Sequence, residues 1–160
     1  MMKDPLFYKE LLSVVARYAE KFELSKTVGP DYYEPGMMEN LAQYKGIYDE
    51  QAKRITICCE SKGLRYDNRT ANLERVSVGD VVNVVRNPSN VSSSNAFAIN
   101  SATGASLGFL PAELCDALAP LYDSGYAEVV SATVAYVEKI GQRSRYAKQG
   151  VLFVELIVRL

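Results

Sequence analysis

The chain has 160 residues and 48% hydrophobic content, enough for one domain with a single core and a short appended element. It contains no histidine and no tryptophan, which removes the commonest general base, nucleophile activator and transition-metal ligand; no apolar run approaches the roughly 18 residues needed to span a membrane. The net charge of −1 hides a segregation, with −3 over residues 1–52, +3 over 53–100, −5 over 101–138 and +4 over 139–160, so a basic face forms if the second and fourth segments meet.

Asp4 is placed to cap a helix with Pro5 at its first position, and Phe7, Leu11, Val14, Val15, Tyr18 and Phe22 then recur at three- and four-residue steps. Residues 5–24 are therefore expected to form an amphipathic helix, which packs on its own domain, on a second copy or on a protein partner. Residues 25–36, with Pro30, Pro35, Gly29 and Gly36, read as a connector, and residues 37–46 as a second short helix. The expected division is thus a helical extension and connector over 1–52 and a β domain over 53–160. The charges among the first apolar residues argue against a signal peptide. Cys58, Cys59 and Cys115 form neither a disulfide framework nor a metal pattern, which suits a reducing, cytoplasmic setting.

From residue 53 the hydrophobic period falls to two. Residues 55–60 alternate like a half-buried strand, and residues 72–76 allow one helical turn. Residues 81–85 are continuously β-branched and read as a strand buried on both faces. Asn87-Pro88-Ser89-Asn90 carries turn chemistry; residues 97–100 and 106–110 then read as a hairpin around Thr103-Gly104. Pro111 opens a helix over 111–124 with the apolar stripe Leu114, Ala117, Leu118 and Leu121, stopped by Gly125. Two long strands follow. In residues 127–138 the alternation places Val129, Ser131, Thr133, Ala135 and Val137 on one face, and in 151–160 it places Leu152, Val154, Leu156, Val158 and Leu160 together. Between them the loop GQRSRYAKQG holds Arg143, Arg145, Tyr146 and Lys148 and no acid. The pattern predicts a mostly β, α+β fold, a small curved antiparallel barrel of about six strands with one main helix and a short one.

Motifs for phosphate loops, dinucleotide binding, zinc proteases and nucleophile elbows are all missing, and no serine has a histidine to activate it. No acidic pair stands at a persuasive spacing for metal-assisted chemistry. The expectation is a binding module rather than an enzyme, with no cofactor and no metal.

One line of residues is specific. Gly79, Asp80, Arg86, Pro88, Asn90, Asn95, Ala96, Ile99, Gly104, Gly108, Phe109, Leu110, Pro111, Glu113 and Leu118 stand in the order and spacing of the HIRAN domain, which this chain resembles over about residues 53–160. That family includes the N-terminal modules of fork-remodelling helicases and small bacterial stand-alone or fused modules. The resemblance implies an OB-like β-barrel that grips single-stranded DNA at a free 3′ end: an aromatic stacks on a base, basic and amide groups hold phosphates, and an acid meets the terminal hydroxyl. By position it assigns Arg65 and Tyr66 to the basic-aromatic pair and Asn90 to the loop amide. The chain departs from the family where Val91-Ser92-Ser93 replaces Pro, an aromatic and Asp, where Phe109 replaces a polar ring or Tyr, and where Ala112 replaces a basic residue. Ser93 thus stands in place of the acid, which argues against the 3′-end contact. Single-strand binding is then expected through Arg65, Arg69, Arg143, Arg145 and Lys148, with Tyr66 or Tyr146 as stacking platforms and Asn90, Ser93 and Phe109 nearby. The alternative is a protein-interaction module that uses residues 5–24.

Overall fold

The computed structural model describes residues 47–49, 54–143 and 146–160. The expected helices at 5–24 and 37–46, the connector between them and Arg145 lie outside these described residues. In chain order the elements are β1 (Ile47–Asp49), β2 (Arg54–Glu60), α1 (Arg69–Asn72), which runs on into the 3-10 turn Leu73–Arg75, and β3 (Val82–Arg86). β4 (Phe97–Ser101), β5 (Ser106–Phe109), α2 (Ala112–Asp123), β6 (Glu128–Glu138), a second 3-10 turn (Ile140–Gln142) and β7 (Val151–Arg159) complete the chain. The fold is mostly β, with two antiparallel sheets ordered β1-β2-β7-β6 and β3-β4-β5.

β7 is paired on both edges, by β2 and by β6, so its side chains are buried almost throughout. Leu152, Val154, Leu156, Val158 and Leu160 do share the core, as their alternation requires. β6 departs from strict alternation. Its register against β7 shifts between Val129 and Ser131 and again between Val134 and Tyr136, each shift inserting one extra residue. Val129, Ala132, Val134 and Val137 consequently pack toward the core at spacings of three, two and three. Ser131, expected beside Val129, is exposed, and Thr133 is half-buried.

β1 was not expected. It lies within the segment read as helical extension and connector, yet it pairs with β2 from Ile47 opposite Thr56 to Asp49 opposite Arg54. The short helix begins three residues earlier than expected, at Arg69, and tightens to 3-10 before Val76. β3 is not buried on both faces. It pairs with β4 on one side; on the other it meets β6 only at the Val81–Thr133 bridge, where Gly79 donates to the Val134 carbonyl at 2.8 Å. Past that bridge the two strands part around an uncharged groove of about 570 Å³, which leaves Val81, Val85 and Val130 exposed.

At the opposite end the sheets meet at a second bridge. Lys62, just past β2, exchanges two backbone hydrogen bonds with Phe109 of β5, at 2.9 and 3.0 Å. Gly108 makes that approach feasible. Its φ is +103°, and a Cβ there would stand 2.3 Å from Ser61 Oγ and 2.5 Å from the Lys62 carbonyl oxygen. α2 lays Leu114, Cys115, Ala117, Leu118 and Leu121 on the core formed by Phe97, Ile99 and Leu107. Its place is fixed by Arg86, whose Nε and Nη2 donate to the two carboxylate oxygens of Asp123 at 3.0 and 2.9 Å. The same guanidinium lies 5.5 Å from the centroid of the Phe97 ring and donates to the Ala96 carbonyl.

Candidate nucleic-acid interface

The chain leaving β2 must turn sharply to reach α1, and that turn builds one wall of a cleft. Gly63 adopts φ +81°, Leu64 is driven into the core, and both the backbone N–H and the hydroxyl of Thr70 bond to the Leu64 carbonyl. Burying Leu64 pushes its neighbours Arg65 and Tyr66 outward. Asp67 and Asn68 then close the turn in the left-handed region, at φ +54° and +63°, a conformation that short Asx side chains tolerate. Tyr66 is left 54% exposed, with the Arg65 guanidinium 5.1 Å from its ring centroid. The ring thus carries a cation over one face while it lines the cleft.

Arg69 closes the floor. Its Nε donates to Ser106 Oγ at 3.0 Å, Nη1 to the Gly63 carbonyl at 2.9 Å, and Nη2 to Asp67 Oδ2 at 3.1 Å. The guanidinium also stands 4.9 Å from the centroid of the Phe109 ring. Two of its three nitrogens are thus engaged with groups that hold the turn on β5, so it braces the wall as well as charging it.

The facing wall is the loop between β3 and β4. Asn90 Oδ1 accepts from the backbone N–H groups of Ser92 and Ser93, at 2.9 and 3.1 Å. These donors orient the amide and leave its Nδ2, with two hydrogens, to a ligand. Ser93 Oγ accepts from the Asn95 N–H, and its own hydroxyl proton remains to be donated. Asn95 fastens the loop to α2 through Asp116 at 3.1 Å. The start of α2 closes the end of the cleft with Ala112, one turn before Cys115.

Between these walls lies an open cleft of about 350 Å³, lined by Tyr66, Arg69, Asn90, Ser93 and Phe109 among others. Five of the expected site residues, drawn from three separate stretches of chain, therefore share one concavity. Lys62, Gly63 and Ser92 also line it and were not anticipated. The signal for Lys62 was a cation at a strand end immediately before a glycine. Burial pushes the Cys115 thiol at the back of the cleft up, so it stays protonated and neutral at pH 7. No carboxylate is among the lining residues.

The family model of the HIRAN domain matches residues 56–150, more than half of the chain. The chain belongs to the HIRAN domain family. Among solved structures it is similar to a protein from Lactobacillus plantarum, with a TM-score of 0.52 and 21% identity, covering 67% of this chain and 99% of that one. It is also similar to the crystal structure of the HIRAN domain of human HLTF, with a TM-score of 0.47, 23% identity, and coverage of 65% and 76%. The NMR structure of the HLTF HIRAN domain in its DNA-bound conformation gives 0.42, 21%, 65% and 75%. At 21% identity the likeness to the Lactobacillus plantarum protein is one of fold. Comparison with curated proteins finds no match.

Among the described residues of this HIRAN domain, the other expected ones, Arg65, Arg143, Tyr146 and Lys148, do not line the cleft. Arg143 is committed to Glu138, 3.4 Å away and 6% exposed, and to the Gln149 carbonyl at 3.0 Å. Tyr146 and Lys148 are exposed on the same loop. The flanks of that loop are tied to α1 and the 3-10 turn after it, where the Gly150 N–H donates to Thr70 Oγ1 and Lys139 Nζ to the Glu74 carbonyl. None of the described residues of this loop lines the cleft. Arg65 reaches the cleft only through the Tyr66 ring it covers. Of the positions that carried the family resemblance, Arg86 is a structural clamp. Its hydrogen-bonded pair with Asp123 holds that carboxyl below its usual range and raises the guanidinium further.

Proposed function

We propose that this HIRAN domain binds single-stranded nucleic acid, DNA foremost, in the cleft between the 61–69 turn and the 87–95 loop. The observation that carries the reading is the convergence of an exposed tyrosine, an amide, hydroxyls and two cations in one concavity that no carboxylate lines. A base stacks on the exposed face of Tyr66, while Asn90 Nδ2, Ser93 Oγ, Lys62 and Arg69 face the phosphates. The two bridges at Lys62–Phe109 and Val81–Thr133 support reading the two sheets as one curved, OB-like wall behind the site. Because no carboxylate lines the cleft to accept from a terminal hydroxyl, the strand is read as held along its length. Arg143, Tyr146 and Lys148 are left out of this reading, and no step of chemistry is assigned to the domain.

The test is fluorescence anisotropy with a 5′-labelled twelve-nucleotide oligo-dT in low salt. Binding is expected to weaken steeply with salt, to weaken in Tyr66→Ala, and to change less than about twofold when the 3′ end is blocked. Undetectable binding at low salt would sink the reading. A large loss on blocking the 3′ end would restore end recognition.

A further inference from the structure

Both cations that line the cleft are already occupied, each by a carboxylate two residues away. Lys62 Nζ is 3.1 Å from Glu60 Oε1, two side chains that the strand pleat puts on one face. Arg69 Nη2 is 3.1 Å from Asp67 Oδ2. Neither acid is among the lining residues of the cleft; each holds its cation from outside. The Arg69 pair is asymmetric: the arginine side chain is 11% exposed and the aspartate 77%. Nε and Nη1 are fixed on Ser106 and Gly63, so the guanidinium cannot follow Asp67 outward. Asp67, by contrast, sits in solvent on a left-handed turn, where letting go of Arg69 costs little packing.

We propose, building on the nucleic-acid reading, that Asp67 and Glu60 are internal competitors for the strand's phosphodiester groups. In the empty domain their carboxylates, from outside the cleft, take up the Nη2 donor of Arg69 and the Nζ donor of Lys62, and binding draws those donors to phosphate oxygens and releases the acids. A carboxylate and a phosphate offer the guanidinium the same oxygen geometry, so the exchange leaves Arg69 in place and moves only the acid. The two acids thereby set the affinity of the site from below, and removing either one strengthens binding.

The test compares Asp67→Asn and Glu60→Gln with the unaltered chain by anisotropy with the same oligo-dT at fixed low salt. Asparagine suits φ +54° at least as well as aspartate, so the turn is kept. Glu74→Gln, an exposed acid that does not line the cleft, is the control for the change in net charge. Asp67→Asn is expected to bind about two- to fivefold tighter, the range an exposed ion pair commands, and Glu60→Gln less so. Binding that is lost in Tyr66→Ala but unmoved or weakened in Asp67→Asn overturns this inference while leaving the cleft as the site. An equal gain in Glu74→Gln also overturns it, since the effect is then general charge. If none of the variants binds, the nucleic-acid reading falls together with it.

Discussion

The cleft and the 139–149 loop have similar inventories in sequence, arginines near a tyrosine, but the fold uses Arg69 and Arg143 in different ways. In the loop, Arg143 neutralises Glu138, whose carboxylate is otherwise met by the Tyr136 hydroxyl at 2.8 Å, and so is spent on keeping a buried charge tolerable. In the cleft, Arg69 is braced by neutral groups and holds an exposed carboxylate with its remaining arm, while Arg65 sits over Tyr66. A basic-aromatic segment is therefore not a ligand site by composition. What matters is whether each cation's acceptors are buried and permanent or exposed and replaceable.

The sharpest way to break the distinction is to remove the cleft's geometry. Gly108→Ala places a methyl within 2.5 Å of the Lys62 carbonyl oxygen at a φ that L-residues avoid. It is expected to cost about 3 kcal/mol, read from urea unfolding, and to abolish strand binding with it. Next in size, Tyr66→Ala should lose about 2 kcal/mol of binding, typical of one stacked base, while the urea midpoint stays put. The loop is expected to behave in the reverse sense. Arg143→Met strands the Glu138 carboxylate and should cost about 1.5 kcal/mol of stability, with oligonucleotide affinity within about twofold of the unaltered chain. A large affinity loss in that variant would erase the difference between the two regions.

The smallest effect belongs to the Arg86–Asp123 clamp, a third use of a cation, and it depends on pH. Asp123 titrates lower in the folded chain than in the unfolded one, because Arg86 hydrogen-bonds its ionised form. Its contribution to stability is present above about pH 4, the ordinary aspartate range, and is lost as pH falls through the lower folded value. Asp123→Asn should therefore narrow the gap between urea midpoints measured at pH 6 and pH 3. An unchanged gap would mean that the clamp is not coupled to folding.

Much of the fold was legible in the sequence because it rests on local periodicity. The strands around 55–60, 97–101, 106–109 and 151–159 and the helix from 112 follow directly from alternation, turn residues and an apolar stripe. β1 escaped because three residues carry no period. The β6 bulges escaped because they exist only in register with β7, and the exposure of β3 because it depends on which strand stands beside it. The candidate site shows the same division. Tyr66, Asn90 and Phe109 could be picked out by family spacing, whereas Lys62 joined them only through a cross-sheet bridge.

By itself the sequence determined the family and the order of most elements, since these rest on residue identity and spacing along the chain. Only the tertiary structure decided which cations line the cleft. Whether Arg69, Arg86 or Arg143 is available depends on partners five to thirty-seven residues away, Gly63 and Ser106 for the first, Asp123 for the second, Glu138 and Gln149 for the third. A charge acquires its role from the acceptors that the fold brings to it.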